Sequence, residues 1–244
     1  MDPFQHLAII VCTFFVAGIV KGVIGLGLPT VAVGLLGVVM APMEAASILI
    51  VPSLVTNIWQ LAAGPNLTYI FRRLTPMLIG ICVGTVLGAW MLSGRDMRHA
   101  TAALGAALVL YAVVGLASPR LSVSAGVDAW LSPLIGATTG VTTAATGVFV
   151  IPAVPYLQAL DLNKEDIVQA MGLAFTVSTV ALAATLLKDP AFRPAVAGAS
   201  FLALPPALAG MFLGQWVRNR VSAPTFRRCF FVGLIALGGH LALR

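Results

Sequence analysis

The chain has 244 residues, of which 59% are hydrophobic and only 9% are charged. Soluble domains carry about 25% charged residues, so this composition excludes a soluble globular protein and predicts an all-α integral membrane protein. A transmembrane helix needs roughly 20 apolar residues, which leaves room for about eight to ten segments. The net charge of +6 is modest, and in a membrane protein it relates to loop orientation rather than to nucleic acid.

The apolar segments form two sets of five. The first set lies at 6–21, 27–40, 45–63, 70–92 and 100–117, and the second at 129–143, 147–160, 167–187, 194–217 and 226–243. We therefore assign residues 1–118 to a first membrane repeat, 119–128 to a connecting loop and 129–244 to a second repeat. In each set we expect the first two segments to be short and to meet at a junction rich in glycine, threonine and proline.

The first junction, residues 21–30, combines a lone cation with helix-weakening residues. It contains Lys21, Gly25, Gly27, Pro29 and Thr30. Unpaired backbone groups in hydrocarbon cost several kcal/mol each unless they line a cavity or pack on protein. A helix broken at this depth is therefore a candidate binding site.

The two halves resemble each other, which indicates an internal repeat. The matched positions are Gly18 and Gly22 with Gly136 and Gly140, Glu44 with Glu165, and Phe71-Arg72 with Phe192-Arg193. Five segments per half is an odd number, so the halves must insert with opposite orientation. Inverted-topology repeats with an interrupted segment at matching positions, here paired short or broken helices near the midplane, are typical of secondary transporters.

The order of these motifs resembles the TauE/SafE family of sulfite and organosulfonate exporters, also called the toluene sulfonate uptake permeases. The first half has Gly18-x-x-x-Gly22-x-x-Gly25-x-Gly27 followed by Pro29 and a turn at 42–44. The second half has Gly136-x-x-x-Gly140, then Gly147, Pro152 and the stretch 169–172. The resemblance covers essentially the whole chain and implies transport of a sulfur compound.

The residue chemistry favours an anion as the solute. The acidic residues all lie in connections or at segment ends: Asp2, Glu44, Asp96, Asp128, Asp161, Glu165, Asp166 and Asp189. Hydrogen-bond donors and helix N-termini, by contrast, cluster near the junctions. The predicted substrate-binding residues are Lys21, Gly25, Gly27, Thr30, Asn57, Thr142, Thr143, Thr146 and Gln169. Sulfite, sulfonates and small carboxylates would all suit such a site, and we expect no metal and no cofactor.

Structural interpretations of the same residues stay open. Gly18 and Gly22 could serve close helix packing, and the threonines could bond their own backbone. Asn57 could join helices or meet Ser178, its counterpart in the second half. Lys21 could extend to the headgroups, but we favour an electrostatic role at the cytoplasmic mouth of an anion path.

The sequence thus predicts a secondary transporter that moves a small sulfur oxyanion across the cytoplasmic (inner) membrane by alternating access. An anion channel and a carrier for small carboxylates are the alternatives. No nucleophile with its base and no metal cluster is apparent at membrane depth, so we do not expect an enzyme. The expected partners are a small anionic solute and membrane lipid, with no nucleic acid and with room for a homodimer.

The distribution of cations predicts the orientation. Successive connections between segments must lie on alternate sides of the membrane. With Lys21 left out, this assignment places eight basic residues on one side: Arg72, Arg73, Arg120, Lys164, Arg218, Arg220, Arg227 and Arg228. The other side has five: Arg95, Arg98, Lys188, Arg193 and Arg244. The positive-inside rule puts the first set in the cytoplasm and both termini in the periplasm.

Overall fold

A computed structural model describes residues 3–92, 100–117, 122–187, 194–218, 220 and 222–243. Within these residues the chain is helical and contains no strand. The helices of the first half are α1 (Pro3–Ile24), α2 (Leu28–Leu36), α3 (Pro42–Ala62), α4 (Leu67–Leu92) and α5 (Ala100–Ala117). Those of the second half are α6 (Ala125–Thr146), α7 (Ala153–Ala159), α8 (Lys164–Leu186), α9 (Pro194–Arg218) and α10 (Ala223–Ala242).

Only the second segment of each half is short, which corrects the expectation that the first two would be. α1 and α6 each have 22 residues, whereas α2 has 9 and α7 has 7. The first helix continues past Lys21 until Gly25, whose positive φ of 84° ends it, and α6 continues to Gly147 at φ 73°. A left-handed residue is a common helix terminator, and glycine adopts it without steric cost.

Glycines bring helices of opposite halves into backbone contact. A Cβ added at Gly18 of α1 would lie 2.2 Å from the carbonyl oxygen of Ala207 of α9. On α6, a Cβ at Gly136 would lie 2.1 Å from the carbonyl oxygen of Met77 of α4. Small residues of this kind let membrane helices approach closely. The first helix of each half therefore packs along the fourth helix of the other half.

The contacts also give the direction of each helix pair. Gly22 of α1 lies beside Met211 of α9, and both residues are four positions beyond the contact of Gly18 with Ala207, so α1 and α9 run parallel. Contacts of Gly80 with Pro133 and of Gly88 with Val141 show that α4 and α6 are also parallel.

The corresponding central helices run in opposite directions. Ser53 of α3 meets Thr179 of α8, whereas Gln60, about two turns further along α3, meets Val168. In the same way Gly105 of α5 lies beside Ala242 of α10 and Gly115 lies beside Phe231. The third and fifth helices of the first half are therefore antiparallel to their counterparts.

The outer surface is apolar, as in a multi-pass membrane protein. Six of the described helices are long and apolar enough to span a membrane, namely α1, α3, α4, α5, α8 and α9. Large apolar side chains such as Trp90, Val86 and Phe201 point outward. Glu44 and Glu165 both lie in the first turn of their helices, α3 and α8. The match of Phe71-Arg72 with Phe192-Arg193 falls partly outside the described residues.

Candidate functional site

The lysine singled out from the sequence is buried inside the helix bundle. Lys21 lies 18 residues after Pro3 on α1, about 27 Å along the helix at 1.5 Å per residue. Only 4% of its surface is exposed, and its Nζ group donates a hydrogen bond to the Oδ1 atom of Asn57 on α3. The side chain is therefore held in the protein and does not extend to the headgroups.

A chain of hydrogen bonds leads from Lys21 across two further helices. The Nδ2 group of Asn57 donates to Ser53 Oγ at 3.0 Å, and Ser53 lies 3.2 Å from Thr179 Oγ1 on α8. The hydroxyl of Thr179 donates to the carbonyl oxygen of Phe175 at 2.7 Å, so towards Ser53 it can only accept. We call this series of residues, Lys21–Asn57–Ser53–Thr179, the polar chain. Each of its hydrogen bonds is donated in the direction away from Lys21, which is the first donor.

The residues that complete this chain, Ser53 and Thr179, were not among the predicted site residues. Ser53 precedes Asn57 by four positions, which places both on one face of α3, and that spacing could have identified it. For α8, the sequence suggested Ser178, whereas the residue that joins the chain is its neighbour Thr179. Ser178 is also fully buried, and its hydroxyl has no hydrogen-bond partner among the described residues.

The glycine-rich junction breaks the chain between α1 and α2. Gly25 and Gly27 have φ of 84° and 100°, a region that L side chains rarely adopt. The carbonyl oxygen of Gly27 accepts the first helical bond of α2 from Val31 at 2.9 Å. Thr30, in the first turn of α2, is completely buried, and its hydroxyl has no partner in the described structure.

The threonines near the end of α6 bond to their own helix. The hydroxyls of Thr142, Thr143 and Thr146 donate to the carbonyl oxygens four residues earlier, at 2.7 to 2.8 Å. Thr146 Oγ1 also accepts from the backbone N–H of Val148 at 3.2 Å, beyond the end of the helix. Bonds of this kind occupy the hydroxyl hydrogens but leave acceptor capacity on each oxygen.

Gln169 connects α8 to the loop between α3 and α4. Its Nε2 group donates to the carbonyl oxygens of Leu61 and Gly64 at 2.9 and 2.8 Å, and its Oε1 atom accepts from the N–H of Asn66 at 2.9 Å. The Nδ2 group of Asn66 in turn donates to Asp166 at 2.9 Å. Both ends of the Gln169 amide are therefore engaged in holding this connection.

A surface depression lies elsewhere, at the opposite end of α3. It has a volume of about 460 Å³ and is lined by residues 37–41 with Thr101 and Ala102. None of the predicted site residues lines it. The structure thus places Lys21 and Asn57 in contact, but the depression is not formed by the predicted site residues.

The described acidic residues lie in connections or first helical turns. Glu44 begins α3, and Glu165 and Asp166 begin α8. Asp128, in the first turn of α6, accepts a hydrogen bond from Tyr156 of α7 and lies 3.6 Å from the guanidinium group of Arg73. The polar chain itself contains only uncharged partners for Lys21.

Comparison with protein families identifies the chain. A family model described as sulfite exporter TauE/SafE matches residues 10–241. The chain belongs to the TauE/SafE family. The match covers α2 to α9 completely and most of α1 and α10, and it includes Lys21, Asn57, Ser53 and Thr179. Comparisons with curated proteins and with solved structures found no match.

Membership of the TauE/SafE family confirms the resemblance in the sequence and implies a membrane transporter of sulfur anions. The apolar outer surface agrees with this assignment. A buried lysine amine with donor capacity beyond its one described partner is the feature of this TauE/SafE chain that suits an anionic solute.

Proposed function

We propose that the protein is a secondary transporter that moves sulfite, an organosulfonate or a related sulfur oxyanion across the cytoplasmic membrane by alternating access. The observation that carries the proposal is the burial of Lys21 with Asn57 as its partner. Ionisable residues inside a membrane are costly and usually mark an ion or solute pathway. An anion bound beside Lys21 would compensate its charge.

The anion would bind through the donors that the ammonium group does not give to Asn57. An ammonium has three N–H donors, and only one of them has a described partner. Charge-assisted hydrogen bonds to an oxyanion are about twice as strong as neutral ones. Of the other predicted residues, Gly25, Gly27, Thr30, Thr142, Thr143 and Thr146 belong to the proposal as the wider site, with the free hydroxyl of Thr30 as the next candidate ligand. Gln169 is left out of the proposed site because its amide is occupied by the loop between α3 and α4.

Alternating access would use the two halves as inverted repeats that meet at the site. The antiparallel course of α3 with α8 and of α5 with α10 supports this topology, because corresponding helices of inverted repeats run in opposite directions. The exchanged pairing of α1 with α9 and of α4 with α6 supports it as well. The Lys21–Asn57–Ser53–Thr179 chain crosses from the first half to the second, so motion between the halves would alter the site.

The proposed orientation places the connections after α3, α5, α7 and α9 in the cytoplasm. These carry the larger set of basic residues, which the positive-inside rule assigns to that side. The partners would be the solute and the surrounding lipid, and the proposal is compatible with a homodimer.

Counterflow in proteoliposomes tests the transport function. Vesicles containing the purified protein are loaded with one unlabelled anion and then given labelled toluenesulfonate, with sulfite, methanesulfonate, sulfate and acetate as the internal panel. We expect sulfite or a sulfonate to accelerate uptake and acetate to have no effect. Acceleration by acetate alone would favour a carboxylate carrier, and flux without counterflow would favour a channel.

Lys21→Met provides the residue test, and Lys164→Met provides its control. The first change removes the buried cation, so counterflow should fall by more than about tenfold if the ammonium contributes a charge-assisted hydrogen bond. Lys164 lies exposed at the start of α8, and its substitution should leave counterflow unchanged. Normal counterflow from a well-folded Lys21→Met protein would refute the assignment of the site.

A further inference from the structure

Among the described residues, no acidic side chain is in contact with Lys21 to balance an ammonium group. Its described partner is the amide of Asn57, and the chain beyond it consists of two hydroxyls and the carbonyl oxygen of Phe175. Lys21 takes part in no ion pair with a described residue. Moving a lone ammonium from water into such an interior costs several kcal/mol even after relaxation.

The titratable groups of the neighbouring helices lie within the first two or the last two turns of those helices. The helices packed against α1 are α2, α9 and α10, and those that build the polar chain are α3 and α8. Short helix α2 carries no titratable side chain. The titratable groups of the other four are Glu44 on α3, Lys164, Glu165 and Asp166 on α8, Arg218 on α9, and Arg227, Arg228, Cys229 and His240 on α10.

Two of these groups are already engaged with other partners. Asp166 accepts hydrogen bonds from Asn66 and Asn163 at 2.9 and 2.8 Å, and Arg227 donates to the carbonyl oxygen of Gly115 at 3.2 Å. On α1 itself, the titratable groups besides Lys21 are His6 and Cys12, at least nine residues and more than about two turns away.

We propose that Lys21 carries the coupling proton, so that the protein is a proton–anion symporter. This inference rests on the proposed function. In the empty carrier the amine is neutral, and one of its N–H groups still donates to Asn57. When a monovalent oxyanion enters, the lone pair of Nζ takes a proton from water on the same side. The resulting ammonium and the anion neutralise each other.

The loaded site then carries no net charge and can be exposed to the other side. There the anion leaves and the ammonium returns its proton to water, which restores the neutral amine. Each cycle therefore moves one proton and one monovalent anion in the same direction with no net charge. The sum of the proton and anion gradients would set the direction of net flux.

Proton movement driven by a sulfonate gradient tests this coupling directly. Methanesulfonate is suitable because it is the anion of a strong acid and does not itself carry protons across the bilayer. Proteoliposomes that contain a trapped pH dye receive an inward methanesulfonate gradient, with potassium and valinomycin holding the membrane potential at zero. We expect the lumen to become acidic, with one proton entering for each labelled sulfonate.

Two substitutions distinguish proton transfer by Lys21 from the effect of its positive charge. Lys21→Arg keeps a cation that does not release its proton in proteins, so sulfonate exchange should persist while driven acidification falls by at least about tenfold. Asn57→Asp places a permanent counter-charge beside the amine, and it should abolish acidification although Lys21 is intact. Lys164→Met should behave like the unmodified protein in both assays.

The outcomes distinguish this inference from the function on which it rests. If no sulfur anion shows exchange with the unmodified protein, the proposed function fails and the coupling fails with it. If exchange occurs but methanesulfonate does not acidify the lumen, only the role of Lys21 in proton transfer is overturned. Acidification that survives in Lys21→Arg would overturn it as well.

Discussion

Thr30 is buried in the first turn of α2, and its hydroxyl has no hydrogen-bond partner in the described structure. An unsatisfied buried hydroxyl costs about 1–3 kcal/mol, so a fold gains nothing by keeping it unless a ligand uses it. The residue follows a glycine break on the same junction that contains Lys21. This makes Thr30 the most informative of the predicted hydroxyls.

Replacing Thr30 by valine keeps the shape of the side chain and removes the hydroxyl. We expect the thermal stability of the solute-free protein to stay equal or to rise slightly, because an unpaired polar group is lost. The KM for the transported sulfonate should increase about tenfold, the equivalent of one hydrogen bond of about 1.4 kcal/mol. An unchanged KM in flux measurements would exclude the hydroxyl from the site.

Gln169 offers the opposite case at the residue scale, because its amide is fully occupied by the loop between α3 and α4. Gln169→Leu removes three hydrogen bonds to partly buried backbone groups of the loop, so we expect the free energy of unfolding to fall by about 1–3 kcal/mol. The KM should be unchanged. Thermal unfolding in detergent measures the first, and flux measures the second. A raised KM with normal stability would instead identify Gln169 as a ligand of the solute.

At the scale of the helices, glycine determines which surfaces meet. Gly18 and Gly22 on α1 and Gly136 and Gly140 on α6 each lie where an added Cβ would come within 2.4 Å of a neighbouring backbone atom. Hydrophobic burial does not drive helices together in lipid, so close backbone packing of this kind has to supply the affinity.

Gly18→Ala and Gly233→Ala form a matched pair that tests this packing. A methyl at Gly18 would overlap the backbone of α9, and we expect a loss of about 1–3 kcal/mol in stability. Gly233 on α10 has nothing within 4 Å of an added Cβ, and alanine there should be neutral or gain up to about 1 kcal/mol from its helix propensity. Equal melting temperatures for the two variants would contradict the close contact.

At the scale of the whole molecule, the two ends of the bundle are distinct. The connections after α3 and before α8 lie at one end, because Gln169 and Asp166 bond to residues 61–66. The connection between α2 and α3 lies at the other end of α3. Under the proposed orientation, the first end is cytoplasmic and the second is periplasmic.

Cysteine labelling tests both the orientation and the inversion of the halves. In a protein whose native cysteines are replaced, Val39→Cys should react with an impermeant maleimide in intact cells. Asp161→Cys, in the connection before α8, should react only after the cells are permeabilised. The reverse pattern would invert the orientation, and labelling of both from one side would refute the proposed topology.

The amino-acid sequence alone determined the class of protein, the number of helical segments and the family. Ten apolar runs separated by polar or glycine-rich stretches leave few alternatives, because a chain in lipid must satisfy its backbone within helices. Lys21 and Asn57 could also be selected, since polar groups are conspicuous in apolar segments.

Only the tertiary structure decided which of these residues meet. The segments are apolar on most sides, because lipid and protein interior favour the same side chains, so their sequences do not reveal which face turns inward. The pairing of α1 with α9, the length of α1 beyond Lys21 and the entry of Ser53 and Thr179 into the polar chain all depend on that choice. Close packing between helices that are far apart in the sequence determines which face turns inward, and a local sequence pattern does not contain that information.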